Sequence, residues 1–263
     1  MIPRNIIVTD RERPEAWLAQ LARDNPSHKI YFFDDKASRD LLVKYFPGDT
    51  LKAYDRLKPS AYRADLFRYC ALQVMGGIYS DSLIPYSLPF SDMWDLEQDR
   101  VYLVRDKQSQ AIQVGTMACN RDSRFMQLCQ QRATRNICAN YYGNSPLSIT
   151  GPEMAWRCFR EYTGESLPLL GKTYAAVKKG DPPVEIKYQI ERTSGDYRQN
   201  VAEAVFVDAE KKMLFPYKLN RFREHRKDKN YYWKAWHRRT VYPEKTGILH
   251  SLVRKFKQFI ERL

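Results

Sequence analysis

Asp65 and Arg68 stand three residues apart, and Asp81 follows within the same short stretch, RADLFRYCALQVMGGIYSDSL. An acid and a base at i and i+3 project from one side of a helix. Leu66, Phe67, Cys70, Ala71 and Val74 recur at helical spacing, which predicts a helix with a core-facing side. Gly76-Gly77 stops that helix, because glycine accepts the left-handed geometry of a helix end. Ile78-Tyr79 then reads as a short buried strand with Asp81 at its end. The planar fork of an arginine can grip phosphate or sugar oxygens at two points. Strand ends in α/β sheets are where ligands bind. The pattern therefore points to a polar ligand held between a helix and a strand end. The bland alternatives are a surface ion pair for Asp65 and Arg68, and turn chemistry for Asp81.

These groups need elements to hold them. Residues 1–60 read as strand, helix, strand, helix: Ile6-Ile7-Val8, Pro14 to Ala22, Ile30 to Phe33, and Ser38 to Tyr45. Such alternation predicts an α/β fold with a mostly parallel central sheet flanked by helices. Val101–Val104 and Gln113–Cys119 read as later strands, and Arg124–Arg132 and Glu153–Tyr162 as helices. Glycines and Asp181-Pro182-Pro183 make residues 163–200 rich in loops. Val184–Ile190, Ala204–Asp208 and Met213–Pro216 read as further strands.

Thr9 follows the first strand and could border a ligand pocket, as could Ser82 beside Asp81. Asp34 and Asp35 follow the second strand and divide evenly between turn chemistry and a site. Trp17 sits on an apolar helical face and reads as core rather than as a base-stacking residue. Trp233 and Trp236 lie three apart in a basic context, as a packed helix or as a surface against which a sugar could rest.

The chain has 263 residues, enough for one large α/β domain. Two segments are expected: a domain over 1–245 and a basic amphipathic helix over 246–263. In the latter, Ile248, Leu249, Leu252, Val253, Phe256, Phe259, Ile260 and Leu263 form one apolar stripe, with Arg254, Lys255, Lys257 and Arg262 off it. A helix of this kind either docks on its domain or lies in an anionic membrane surface. No run of about 18 apolar residues predicts a transmembrane helix, and the N-terminus lacks the features of a signal peptide. The five cysteines include no C-x-x-C pair and the four histidines no metal spacing, so zinc is not expected and the thiols read as reduced, in a cytoplasm. The net charge of +13 favours phosphate-rich partners. Nucleic acid is a rival partner, but no nucleic-acid-binding motif accompanies the charge, and the basic excess falls late in the chain.

The run from Arg63 through Asp65 and Arg68 to Gly76-Gly77-Ile78-Tyr79-Ser80-Asp81 resembles glycosyltransferases with a DXD sugar-binding region. That group includes yeast-type initiating α-mannosyltransferases, bacterial capsule and lipopolysaccharide transferases, and the large glucosylating toxins. Ile2-Pro3-Arg4-Asn5-Ile6-Ile7, the segment from Trp17 to Asp35, and Thr150-Gly151-Pro152 resemble further parts of the family, and Tyr232 to Trp236 loosely resembles its late aromatic segment.

The resemblance implies a GT-A-like fold and transfer of a sugar, a hexose as the leading case, from a nucleotide-diphosphate donor to a glycan or glycolipid hydroxyl. It further implies a retaining reaction in surface polysaccharide or lipopolysaccharide synthesis. Asp65, Arg68 and Asp81 become the catalytic set; Thr9, Ser82 and Trp236 join them around the donor; and Asp81 becomes the ligand of a Mn²⁺ or Mg²⁺ ion. The family's second motif acid is replaced here by Leu83, which weakens any cation site. A catalytically silent relative that binds a glycan or nucleotide is the alternative. Attachment to the cytoplasmic face of a membrane through the C-terminal helix would bring the site to a lipid-linked acceptor.

Overall fold

The structure is a computed structural model that describes residues 1–108, 110–192, 204–210, 213–217 and 231–243. The segment 246–263, expected as a basic amphipathic helix, lies outside the described residues, as do the basic positions 221–229.

The first half alternates as its sequence predicts. Strand β1 (Asn5–Thr9) leads to helix α1 (Glu15–Asp24), β2 (Lys29–Phe33) and α2 (Asp35–Tyr45). Asp34 caps α2, its Oδ1 accepting the Ala37 N–H at 2.7 Å. A short helix α3 (Asp49–Arg56), not expected from the sequence, precedes the long helix α4 (Ser60–Met75) and strand β3 (Gly77–Asp81). Gly76 and Gly77 both have positive φ, 59° and 103°. A side chain at Gly76 would stand 2.7 Å from the Arg121 nitrogen. The paired glycines thus serve both the turn and the close approach of neighbouring backbone.

Helix α5 (Phe90–Met93), strands β4 (Val101–Arg105) and β5 (Ile112–Cys119), and helix α6 (Arg124–Cys138) follow. Then come a 3₁₀ turn (Pro146–Ser148), α7 (Pro152–Thr163), β6 (Lys172–Tyr174), β7 (Val184–Arg192), β8 (Ala204–Val207), β9 (Met213–Tyr217) and α8 (Tyr232–His237).

The strands form one sheet in the order β2-β1-β3-β5-β4-β7-β8-β9, with β6 also on β7. The parallel pairing read from the sequence holds for β2–β1–β3 and for β4–β7; β5 enters between them antiparallel to both neighbours. Alternate residues feed opposite faces. Ile7, Tyr79 and Met117 pack beneath α4, α6 and α7, with Leu66, Phe67 and Phe159. Ile6, Val8 and Ile78 pack on the other face with Leu18, Leu21, Phe90 and Trp94. All five cysteines are free thiols, and only Cys138 is exposed. Among the described residues, no helix is long and apolar enough to cross a membrane.

Two features of this layout build the site. Parallel β1, β2 and β3 end on one edge, with Thr9 opposite Asp81, and α4 runs back along the sheet so that its N-terminal half meets that edge. Strand β5, meanwhile, breaks register with β4: Ala118 pairs with Tyr102, but Gln113 pairs with Val104. The extra β5 residues form a bulge, a device that frees backbone groups and re-aims side chains.

Candidate functional site

Arg68 is the hub. Its Nη2 lies 3.1 Å from Asp65 Oδ1 and its Nη1 3.3 Å from Asp81 Oδ1. Nη1 also donates to the Val114 carbonyl at 2.7 Å, and Nε to the Ala64 carbonyl at 3.2 Å. The guanidinium lies over the Tyr79 ring, 4.6 Å from its centroid. The surface ion pair that sequence spacing alone allowed is therefore excluded, because the Arg68 side chain is only 6% exposed. Burial alone would favour the neutral form; the charges of Asp81 and Asp65 outweigh it and hold Arg68 protonated. Of the five N–H groups an arginine carries, these contacts leave one, on Nη2, for a ligand.

Asp65 is buried, and its second oxygen accepts the Thr150 hydroxyl at 2.8 Å. Burial pushes its carboxyl up to about 6, with Arg68 and the Thr150 hydrogen bond opposing the rise. The Thr150 carbonyl in turn accepts the Tyr69 hydroxyl at 2.8 Å. Thr150-Gly151-Pro152 thus opens α7 and also fixes the orientation of Asp65. The sequence marked this turn as family-like without assigning Thr150 a task.

Asp81 is the open member, with a side chain 39% exposed. Its Oδ1 also accepts the Tyr79 hydroxyl at 3.1 Å. Its Oδ2 leans over Gly115 in the β5 bulge, where any added methyl would overlap it. The same methyl would stand 2.6 Å from Gln113 Nε2. Gln113 is buried, and its Oε1 accepts the Thr116 N–H at 2.9 Å within the bulge. Sequence reading missed Gln113. The available signal was an amide and a glycine interrupting an otherwise apolar buried strand.

Thr9 lies on the neighbouring strand end and donates to the Phe33 carbonyl at 2.8 Å, tying β1 to β2 at the edge. Ser82 donates to Asp10 Oδ2 at 2.5 Å, which brings in a third carboxylate, one the sequence reading passed over. Leu83, at the position of the missing motif acid, has φ of 61°. Among the described residues, no group of three or more His, Cys, Asp or Glu side chains could hold a metal ion.

Trp236 is held by other partners. Its indole N–H donates to the Tyr142 carbonyl at 2.7 Å, and Arg239 lies 5.3 Å from its ring. Helix α8 reaches α4 through Tyr232, whose ring is 5.8 Å from that of Tyr62. Trp233 is half-exposed. Trp17 donates to the Ile84 carbonyl at 3.0 Å and packs on the second core, the structural reading its helical position favoured.

Residues 12–100 match the family described as "Glycosyltransferase sugar-binding region containing DXD motif", and Asp65, Arg68 and Asp81 lie inside the match. A curated relative, "Uncharacterized glycosyltransferase L373" of Acanthamoeba polyphaga mimivirus, is 39% identical over 57 residues, 22% of this chain and 23% of that protein. The aligned stretch thus spans under a quarter of the relative's length. Among solved structures, "PaToxG Glycosyltransferase" aligns with a TM-score of 0.47 at 15% identity, covering 60% of this chain and 69% of that one. Over residues 12–100 the chain is thus similar to the sugar-binding region of glycosyltransferases.

Proposed function

We propose that the protein is a glycosyltransferase that takes a sugar, a hexose in the leading case, from a nucleotide-diphosphate donor and places it on a hydroxyl of a glycan or glycolipid. The observation that carries this reading is the Asp65–Arg68–Asp81 cluster at the edge where β1 and β3 end. Ligands of parallel α/β sheets occupy that edge. The nucleotide rests in this reading against Thr9 and the strand ends, with the donor hydroxyls turned toward Asp65, Asp81 and Ser82. Arg68 acts chiefly as a positioning residue. It neutralises two carboxylates at close quarters and fixes their direction, leaving one N–H toward the donor. Trp236 and Trp233 belong to a neighbouring aromatic surface suited to the acceptor.

Asp81 is the residue that would hold a Mg²⁺ or Mn²⁺ ion. Leu83 offers no oxygen, so the donor's phosphates and water must complete the shell, a mode that suits Mg²⁺. Such an ion, when bound, stabilises charge developing on the leaving diphosphate. The chain's own contribution is a preorganised set of acceptors: Asp65 oriented by Thr150, and Asp81 oriented by Tyr79 and Arg68. No side chain here stands out as a nucleophile, so we favour retention by front-face displacement assisted by the leaving phosphate. A role in surface polysaccharide or lipopolysaccharide synthesis, on the cytoplasmic face of a membrane and anchored through residues 246–263, completes the proposal.

A donor-hydrolysis assay with purified protein and a panel of nucleotide sugars, with and without Mn²⁺, tests the reading. Release of free sugar and nucleotide diphosphate from one donor is the expected result. Stabilisation by a donor that is never cleaved would instead favour a binding relative without catalysis, the reading that Leu83 at the motif position supports.

A further inference from the structure

We propose that Gln113 is a specificity-determining residue of the donor site, pairing with Asp81 to recognise one donor hydroxyl. The proposal rests on the donor-binding reading above. A hydroxyl both donates and accepts a hydrogen bond. Asp81 Oδ2 is an acceptor, Gln113 Nε2 is a donor, and both flank the bare Cα of Gly115.

Each group is held so that this one atom is left for a ligand. Asp81 Oδ1 takes Arg68 and Tyr79. Gln113 Oε1 takes the Thr116 N–H, which fixes the amide orientation and turns the NH₂ the other way. Among the described residues, Nε2 has no hydrogen-bond partner. Nε2 is thus left to donate to a ligand. The β5 bulge has a reason under this proposal: it aims Gln113 back at the strand end and places a glycine where any side chain would separate the pair. A site built from a fixed donor and acceptor discriminates strongly against a ligand lacking the matching hydroxyl. The hydroxyl belongs either to the donor's sugar or to its ribose.

The test uses the full chain in MnCl₂, titrated by calorimetry with UDP-glucose, UDP-galactose, UDP-N-acetylglucosamine, GDP-mannose, UDP and GDP. The tightest nucleotide sugar and its free nucleotide are then titrated into Gln113→Glu, Gln113→Met and Gly115→Ala. Gln113→Glu keeps the oxygen that accepts from Thr116 and removes the donor. Gly115→Ala removes no polar group but forces Asp81 Oδ2 and Gln113 Nε2 away from the bare Cα they flank. Melting temperatures without ligand identify the folded variants, which decide the outcome. The expected result is a loss of about tenfold or more in affinity for the nucleotide sugar in each. If free nucleotide binding is unchanged, the hydroxyl is on the sugar; if it falls in parallel, the hydroxyl is on the ribose. Affinity within about twofold of the parent chain overturns the role of Gln113 while leaving the donor site intact. A parent chain that binds none of the six ligands overturns both.

Discussion

Arg68 and Asp81 meet at 3.3 Å through Nη1, the same nitrogen that donates to the carbonyl of Val114. A single guanidinium nitrogen therefore joins the open carboxylate to the strand that bulges beside it. Helix α4, β3 and β5 are locked in one geometry by a group whose side chain is almost wholly buried.

Arg68→Lys should consequently act on stability as well as on donor use. Lysine keeps the charge but cannot reach two carboxylates and two carbonyls at once. A loss of about 2 kcal/mol or more is expected, since breaking part of a buried ion network strands the remaining charges. Urea denaturation measures it. A change within about 0.5 kcal/mol would place Arg68 among ordinary surface positions.

Asp81→Ala should separate function from fold. The side chain is partly exposed and Arg68 retains Asp65, so the fold should persist, at a melting temperature lowered by the loss of one Arg68 partner. Donor cleavage should fall on the order of 100-fold or more, as when a preorganised polar group is removed from a reacting site. Rates within about twofold of the parent chain would remove Asp81 from the site.

The pH behaviour follows from Asp65. Its carboxyl titrates at about 6 in the folded chain, against a reference of 3.8. The folded state therefore holds a proton that the unfolded state has released between these values. Stability from this group is complete below 3.8 and is lost as pH rises towards about 6. If the proposed donor site uses the Asp65 carboxylate, donor cleavage should rise through the same upper range. The Thr150 hydroxyl favours the charged form, so Thr150→Val should shift the rising limb of the pH–rate profile to higher pH. An unmoved limb would show that Asp65 does not set it.

Leu83 carries two consequences at one position. A leucine at φ of 61° is strained by about 1 kcal/mol, whereas asparagine adopts that conformation with less cost. Leu83→Asn should therefore raise the melting temperature. Leu83→Asp should in addition tighten Mn²⁺ binding by about tenfold or more, by restoring a second acid beside Asp81. Calorimetric titration with MnCl₂ checks this. Unchanged affinity would mean that Leu83 does not occupy the second motif position.

Sedimentation with anionic vesicles tests the proposed membrane attachment. The full chain should pellet at low salt, and a chain ending at Thr246 should not. Equal behaviour of the two removes residues 246–263 as the anchor.

The sequence exposed what is local. Asp65, Arg68, the glycine pair and Asp81 lie within a short stretch, so helical spacing and a tight turn suffice to bring them together. Leu66, Phe67, Cys70 and Ala71, read as core from periodicity, are fully buried. Groups that arrive through tertiary packing were not legible. Thr150 reaches Asp65 from a distant turn, Val114 and Gln113 come from a bulge that only strand pairing creates, and Asp10 meets Ser82 across adjacent strand ends. Helix α3 escaped for another reason. It buries only Thr50, Ala53 and Tyr54 and begins at Gly48 with no side-chain cap, so neither apolar period nor cap chemistry announces it.

The stretch over residues 12–100 that matches the sugar-binding family is, for the same reason, not a portable cassette. A fragment ending there would keep Asp65, Arg68 and Asp81 yet lose the Val114 carbonyl and the Thr150 hydroxyl that orient them. It would also bare the flank of β3 that β5 covers, turning an interior strand into an open pairing edge. Grafting the signature onto another scaffold should therefore transfer recognition only if the host brings its own bulged antiparallel strand.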